Sequence, residues 1–342
     1  MSNWVVITSI NSTKFRYLEY LNLGWNLVVV GDLKSDDLNS EDFAAMGIHY
    51  LSLSHQLKLY PNLSNAIGSN TYARKNIGYL YAISLGAEKI FDTDDDTFLR
   101  FSRDPLAEIN EMKKFFVSGN VNFFNPFLYF APTSRIWPRG YPLNLVEMDR
   151  KLQRAKVEPL PPPSDTNVLP EIDIVQTLVN LEPDVDAIYR LVENSGSFNF
   201  EYINDLLLFD NNIYSPGNSQ STFWLTESCQ EFLYIPRTVD FRFCDILRMY
   251  VAQSQKNMAY AGFLTEQYRN QHNLMTDFQS ELSCYLRVEE TVSLLKRIDP
   301  GTGIFEIYAE LLRIGIVKTE ELNILSIFLE DLKNANRSAY LE

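Results

Sequence analysis

Four aspartates lie within five positions of the segment KIFDTDDDTFLR, residues 89–100. They are Asp92, Asp94, Asp95 and Asp96, and a short apolar run precedes them. Because neighbouring carboxylates repel one another, such a cluster indicates either a solvated turn or the ligands of a cation. Ligands that are all oxygens suit Mg²⁺ or Mn²⁺. If the segment is not a surface turn, it predicts a divalent ion held by carboxylates.

Short apolar runs rich in β-branched residues predict the strands that position this cluster. Residues 3–10 read NWVVITSI and residues 25–32 read WNLVVVGD, and the segment between these two runs has helical spacing. HYLSLS at 49–54 predicts a third strand. Continuous apolar runs are typical of strands buried on both faces of a mainly parallel sheet. The run AEKIF places the aspartates at the carboxyl end of a further strand, the edge where open α/β sheets bind ligands.

A helix is predicted directly before that strand. Apolar residues recur at helical spacing from Ile77 to Leu85, and Gly86 stands where a left-handed cap would end the helix. Its first turn carries the basic pair Arg74 and Lys75. The helix dipole favours anions at this end, so a basic pair there indicates a nearby phosphate. A divalent ion and a diphosphate would then lie between the helix start and the carboxylates.

The remainder of the chain predicts one large domain and a helical end. The proline-rich segment EPLPPPSDTNVLP at 158–170 predicts a flexible crossing or lid. Beyond about residue 285, three amphipathic segments predict a C-terminal helical appendage. We therefore expect an α/β catalytic domain over 1–284 and a helical segment over 285–342.

Charge and composition argue against several classes of protein. A net charge of −14 disfavours nucleic acids and anionic membrane surfaces as partners. The three cysteines form no CxxC pair, and no run approaches the ~20 apolar residues of a membrane span. The N-terminus does not read as a signal peptide, so we expect a cytoplasmic protein. P-loop, dinucleotide-binding and G-x-S-x-G motifs are absent from the sequence.

Several stretches resemble the STELLO-like family of glycosyltransferases, which are of the GT-A type. They run in order from residue 4 to about 280 and read WVVITSIN, GWNLVVVGDLK, YARKNIGYLYAISLGAEKIFDTDDD, FNPF, WPRGYPL, EPDVDAIYRL, NSQSTFW, CDILRMYVAQ and RNQHNLMTDF. More distantly, the chain is similar to the reversibly glycosylated polypeptides, which are UDP-arabinose mutases with a similar Asp triplet. The resemblance implies a GT-A-type, Rossmann-like mixed sheet flanked by helices and a nucleotide-sugar ligand. The plant STELLO pattern includes a membrane anchor that this chain lacks, which also favours a cytoplasmic location.

The resemblance implies a metal site and a nucleotide site. Its DxD motif falls on Asp94 and Asp96, with Asp92 and Asp95 as alternatives, and His272 would complete the shell around Mn²⁺ or Mg²⁺. Residues expected to contact the base, ribose or diphosphate are Thr8, Asn11, Asp32, Arg74, Asn76 and Arg269. Each of these also has a structural alternative as a helix cap, a turn residue or a surface residue.

A carboxylate base is needed if the transfer inverts the sugar. The resemblance implies Asp245 of CDILR, which opens a helix, and an N-cap aspartate is the structural alternative. Asp184 and Asp186 of PDVDAIYRL are the second choice. The WPRGYP segment is expected to contact the sugar or acceptor through Arg139 or its aromatic residues, which are otherwise core residues.

Together these features predict a metal-dependent glycosyltransferase of polysaccharide biosynthesis. It would move a sugar from a nucleoside diphosphate donor, with UDP as the expected nucleotide, to a glycan, lipid-linked or protein acceptor. A nucleotide-sugar mutase, which interconverts furanose and pyranose forms without an acceptor, is the enzymatic alternative. A non-catalytic partner that binds nucleotide sugar and assembles with a synthase is the alternative from another class.

Overall fold

A mixed sheet with helices packed on both faces organises the chain. The structure is a computed structural model that describes residues 2–9, 18–35, 40–100, 102–147, 155–160, 171–193, 197–268 and 273–339. The strands are β1 (Asn3–Thr8), β2 (Asn26–Val30), β3 (His49–Leu51), β4 (Lys89–Thr93), β5 (Thr97–Leu99), β6 (Lys113–Ser118), β7 (Lys156–Pro159), β8 (Ile174–Asn180), β9 (Asp205–Phe209), β10 (Ser221–Trp224) and β11 (Met258–Gln267). This architecture confirms the predicted α/β class with a mixed sheet flanked by helices.

The helices alternate with the strands in the first part of the chain and follow one another at its end. They are α1 (Leu18–Asn22), α2 (Ser40–Ala45), α3 (Leu53–Leu59), α4 (Pro61–Ile67), α5 (Lys75–Ser84), α6 (Pro105–Glu111), α7 (Pro126–Phe130), α8 (Ala187–Glu193), α9 (Cys244–Gln253), α10 (Leu274–Leu295), α11 (Ile304–Arg313) and α12 (Thr319–Ala339). Short 3-10 turns occur at Leu33–Ser35, Tyr72–Arg74, Leu143–Leu145 and Glu227–Leu233.

The strand order is β3-β2-β1-β4-β10-β8-β11-β9-β6-β7, and β5 pairs with the end of β11. Strands β3, β2, β1 and β4 are parallel, as their continuous apolar runs predict. Strand β10 runs antiparallel between β4 and β8, and β11 is parallel to β8. The carboxyl ends of β1, β2 and β4 therefore meet at one edge of the sheet.

Successive side chains of each central strand enter different cores. In β1, Val5 and Ile7 pack in one apolar cluster, while Trp4 and Val6 pack in the other. This alternation is the period of two that a pleated strand imposes. Burial on both faces fixes the register of the parallel strands and so the height of their ends.

Helix α5 lies unusually close to the sheet. A Cβ added at Gly78 would come within 2.6 Å of Val30 and 2.8 Å of Val6, so only glycine allows this approach. Gly86 follows the helix with φ +77, which confirms the predicted left-handed cap. The glycine of the RKNIG stretch thus sets how near the start of α5 comes to the carboxyl ends of the strands.

The C-terminal helices pack back on the sheet layer. Helix α12 contacts α5 and α4, and α11 contacts both α12 and α10. The predicted boundary between residues 284 and 285 falls inside the continuous helix α10, and the two-part division stays a prediction. Residues 161–170 of the proline-rich segment lie outside the described residues. Within the described part, none of the helices has the length and apolar content to cross a membrane.

Candidate functional site

A cavity of about 370 Å³ opens at the carboxyl edge of β1, β2 and β4. Its walls come from the strand ends, the Asn70–Arg74 segment before α5 and the first turn of α9. Eight residues expected from the sequence line it: Thr8, Asp32, Arg74, Asp94, Asp95, Asp96, Arg139 and Asp245. The fold therefore brings carboxylates and a guanidinium from separate parts of the chain into one cavity.

The four neighbouring aspartates divide into one buried residue and three that line the cavity. Asp92 is fully buried, and its two oxygens each lie 2.6 Å from a cation, Lys75 Nζ and Arg248 Nη2. These contacts correct two expectations. Lys75 neutralises a buried carboxylate and does not face a phosphate, and Asp92 is not an alternative metal ligand because it does not line the cavity.

Asp94 is held at the cavity wall by the hydroxyl of Tyr72, which donates to its Oδ1 at 2.8 Å. Lys75 Nζ lies 3.7 Å from the same oxygen, and 27% of the Asp94 side chain remains exposed. Burial raises the pKa of Asp94 to about 7; Lys75 opposes this rise and Asp96 adds to it. Burial also raises the pKa of Tyr72 well above its usual value, so its hydroxyl keeps the proton that it donates.

Asp95 and Asp96 are each fixed by a side chain from another strand end. Ser9 Oγ donates to Asp95 at 2.9 Å, and Gln267 Nε2, at the end of β11, donates to Asp96 at 2.7 Å. Hydrogen bonds of this kind orient carboxylates without consuming all of their acceptor sites. Asp94, Asp95 and Asp96 thus present oriented oxygens to the same cavity.

These carboxylates fit a divalent ion that is shared with a ligand. Over the residues that the structure describes, no three His, Cys, Asp or Glu side chains are grouped closely enough to hold a metal ion. Mg²⁺ and similar ions are commonly bound through one or two carboxylates together with substrate phosphates. The donor chemistry of Asp94 and Asp96 suits that arrangement. The expected third ligand, His272, lies outside the described residues.

Asp32 and Arg74 form the wall beside the β2 end. The carboxylate of Asp32 accepts the backbone N–H of Asn70 at 2.8 Å and of Thr71 at 3.0 Å, so it shapes the segment before α5. Arg74 Nη1 donates to Gln56 at 2.7 Å, while its buried Nε has no hydrogen-bond acceptor in the part of the chain described. Arg74 therefore keeps donor capacity at the wall of the cavity.

The structure corrects the expectation for Asn76. It was expected to face the nucleotide, but its side chain is fully buried and does not line the cavity. Its amide donates to the backbone oxygen of Ile235 at 2.9 Å and accepts the N–H of the same residue at 2.7 Å. Asn76 instead joins α5 to the segment that leads toward α9.

Asp245, the expected base, stands in the first turn of α9 on the opposite wall. Arg139 Nη1 and Nη2 donate to its two oxygens at 3.0 and 2.8 Å, and Arg139 also contacts Asp184 at 2.7 Å. Asp186, the other second choice, is buried and accepts from Trp137 Nε1 at 2.7 Å. Of these three acids only Asp245 lines the cavity.

Other expected and unexpected residues complete the comparison with the sequence. Thr8 ends β1 at the cavity, whereas Asn11 and Arg269 lie outside the described residues. Tyr72 and Arg242, which line the cavity, were missed by sequence reasoning. Tyr72 stands two positions before Arg74 in the matched stretch YARKN, so that motif carried a usable signal. Gln267 had none.

The chain is similar in sequence to two proteins of Arabidopsis thaliana. It is 26% identical to "Probable glycosyltransferase STELLO2" over 246 residues, which cover 67% of this chain and 30% of that protein. It is 24% identical to "Probable glycosyltransferase STELLO1" over 270 residues, which cover 73% of this chain and 33% of that protein. These matches confirm the predicted resemblance to STELLO glycosyltransferases. The chain spans about a third of the length of these curated relatives.

Other similarities are weaker. No family model matches the chain. A crystal structure of GalNAc-T7 with UDP, GalNAc and Mn²⁺ is 10% identical and covers 99% of this chain and 58% of that chain. Its TM-score of 0.37 does not establish a shared fold.

Proposed function

We propose that this protein is a metal-dependent glycosyltransferase of the GT-A type that uses a nucleoside diphosphate sugar, with UDP as the nucleotide. The observation that carries the proposal is that Asp94, Asp95 and Asp96 line one cavity together with Arg74, whose buried Nε makes no hydrogen bond to the described residues. The names of the two STELLO relatives supply the reaction class. The acceptor would be a glycan, a lipid-linked sugar or a protein, and the reaction would serve polysaccharide biosynthesis. A cytoplasmic location stays a prediction.

Asp94 and Asp96 are the proposed ligands of Mn²⁺ or Mg²⁺, with His272 as the third. When bound, the ion would neutralise these carboxylates together with the diphosphate of the donor. Tyr72 and Gln267 hold the two aspartates in place, so the ligand oxygens need little rearrangement to bind. Such support from neighbouring hydrogen bonds is typical of metal sites.

Arg74 is the proposed phosphate contact. Its guanidinium has an unused buried N–H, and α5 begins at the next residue, so N–H groups at the helix start add to the attraction for an anion. Asp32 and Thr8 would contact the base and ribose from the ends of β2 and β1, and Asn11 and Arg269 remain proposed contacts on the basis of the resemblance. Asp32 would do so while it holds the Asn70–Thr71 backbone.

Asp245 is the proposed base that takes the proton of the acceptor hydroxyl. Its oxygens accept three hydrogen bonds, two from Arg139 and one from the N–H of Ile246. An ionised carboxylate has about four acceptor positions, so one remains for the acceptor. Arg139 fixes the orientation of the carboxylate, which a positioned base requires.

Incubation of the full chain with UDP-sugars and Mn²⁺, without acceptor, tests the reaction class. A transferase should hydrolyse the donor slowly, and Asp245→Asn should lower that rate at least tenfold while UDP binding is retained. Asp299→Asn, an exposed acid outside the cavity, is the matched control and should leave the rate unchanged. Interconversion of ring forms without hydrolysis would instead identify a mutase. Nucleotide binding with neither reaction would identify a non-catalytic partner.

A further inference from the structure

Two arginines line the same wall of the cavity but differ in their hydrogen bonds. Arg139 donates through Nε, Nη1 and Nη2 to Asp184, Asp245 and the backbone oxygen of Arg242. All three of its nitrogens are therefore committed to the protein. Arg139 serves to hold the wall together and has little capacity left for a ligand, contrary to the expectation that it contacts the sugar.

Arg242 has donors to spare. Only its Nε donates, to Glu281, and neither Nη1 nor Nη2 makes a hydrogen bond to any residue in the described ranges. The side chain is 7% exposed and lines the cavity. A buried N–H without an acceptor is costly, so this guanidinium is suited to a ligand that supplies acceptor oxygens.

The charge of Arg242 is already compensated. Besides Glu281, Asp184 lies 3.9 Å from Nη2 and Asp277 lies 4.0 Å from Nε. What the guanidinium lacks is a hydrogen-bond acceptor and not a negative charge. With Asp245 and the three strand-end aspartates in the same cavity, an additional anionic group at this wall would be repelled. Neutral hydroxyl groups therefore suit Arg242 better than a carboxylate or a second phosphate.

The preceding residue exposes an aromatic face. Phe241 is 61% exposed and lines the cavity, with its ring centroid 5.9 Å from that of Tyr72 in an edge-on arrangement. The hydroxyl of Tyr72 donates to Asp94, so Phe241 stands one ring away from a proposed metal ligand. Aromatic faces pack well on the C–H face of sugar rings because both are apolar.

We propose that Phe241 and Arg242 form the subsite for the sugar of the donor and select a neutral ring over an acidic one. Phe241 packs against the C–H face of the ring, and the free Nη groups of Arg242 donate to its hydroxyl oxygens. The inference rests on the proposed function, since it takes the donor to be a nucleoside diphosphate sugar. It adds the class of sugar and the residues that recognise it.

Titration calorimetry of the full chain with Mn²⁺ tests the subsite. The probes are UDP, UDP-glucose, UDP-galactose, UDP-N-acetylglucosamine, UDP-arabinose and UDP-glucuronate. At least one neutral UDP-sugar should bind more tightly than UDP, and UDP-glucuronate should bind more weakly than UDP-glucose. Phe241→Ala should weaken the neutral UDP-sugar about 3- to 10-fold and leave UDP unchanged. Arg242→Lys keeps the charge but loses the paired donors, and should weaken it about fivefold.

Phe305→Ala, a partly exposed phenylalanine of α11 outside the cavity, is the matched control. Because Phe241 is exposed, its alanine variant tests the inference even if Arg242→Lys does not fold. Equal weakening of UDP and UDP-sugar would place the nucleoside on Phe241 and overturn the inference, as would UDP-glucuronate binding as tightly as UDP-glucose or more tightly. If UDP binds but no UDP-sugar binds more tightly than UDP, the result overturns this inference and leaves the proposed function standing. Failure of UDP to bind would overturn the proposed function and this inference together.

Discussion

At the scale of residues, Lys75 and Arg248 explain how four acids can be neighbours. Asp92 points into the core, where both cations contact it, while the other three aspartates face the cavity. The buried cation pair thus neutralises Asp92 and removes it from the group of acids that face the cavity. The sequence raised this question but did not answer it, because Arg248 lies 156 positions from Asp92.

Replacement of Lys75 by methionine should therefore destabilise the protein by about 3–5 kcal/mol, because it leaves one oxygen of a fully buried carboxylate uncompensated. Urea unfolding measures this loss. The double variant Lys75→Met with Asp92→Asn should recover part of the stability, since it removes the charge that Lys75 balanced. A loss below 1 kcal/mol, or no recovery in the double variant, would show that Lys75 does not serve Asp92.

At the scale of elements, α12 holds the segment that carries the opposite wall of the cavity. Glu321 of α12 is fully buried and accepts the N–H of Arg237 at 3.0 Å and of Thr238 at 2.6 Å, together with the hydroxyl of Tyr234. The chain continues from there to Phe241 and α9. The C-terminal helices thus belong to the support of the site, although the family resemblance ends before them.

Replacement of Glu321 by alanine should lower the free energy of unfolding by about 2–4 kcal/mol, because it leaves buried N–H groups of that segment without an acceptor. Glu321→Gln should cost less, since its oxygen can still accept. Glu320→Ala, at the exposed neighbouring position, is the control and should change stability by less than about 0.5 kcal/mol. Urea unfolding of the three variants measures these changes in the free energy of unfolding. Equal losses for Glu320→Ala and Glu321→Ala would contradict the role of the Glu321 carboxylate.

At the scale of the whole molecule, the sequence predicted what local patterns determine. Apolar runs and helical spacing placed β1, β2, β4 and α5 correctly, and so placed Asp32, Arg74 and the aspartates at one sheet edge. The errors concern pairs distant in sequence. Asn76 bonds to Ile235, 159 positions away, and no local pattern distinguishes that use from a nucleotide contact.

The residues of the opposite wall could not be predicted from the sequence for the same reason. Phe241 and Arg242 enter the cavity only because the segment before α9 is held by α5, α10 and α12. Their exposed ring and free donors result from packing between elements that lie far apart in the chain. Family resemblance directed attention to Asp245, but spacing alone offered no means of seeing its neighbours as ligand contacts.

The most direct measurement of the central claim is the affinity for UDP with and without Mn²⁺, by calorimetry at pH 8. Burial raises the pKa of Asp94 to about 7, so the carboxylate that an ion requires is present above that pH and is lost as pH falls through it. We predict that Mn²⁺ increases UDP affinity at least tenfold, and that Asp96→Asn abolishes the increase while the exposed control Asp299→Asn keeps it. Equal UDP affinity with and without Mn²⁺, or an unchanged Mn²⁺ effect in Asp96→Asn, would contradict the account.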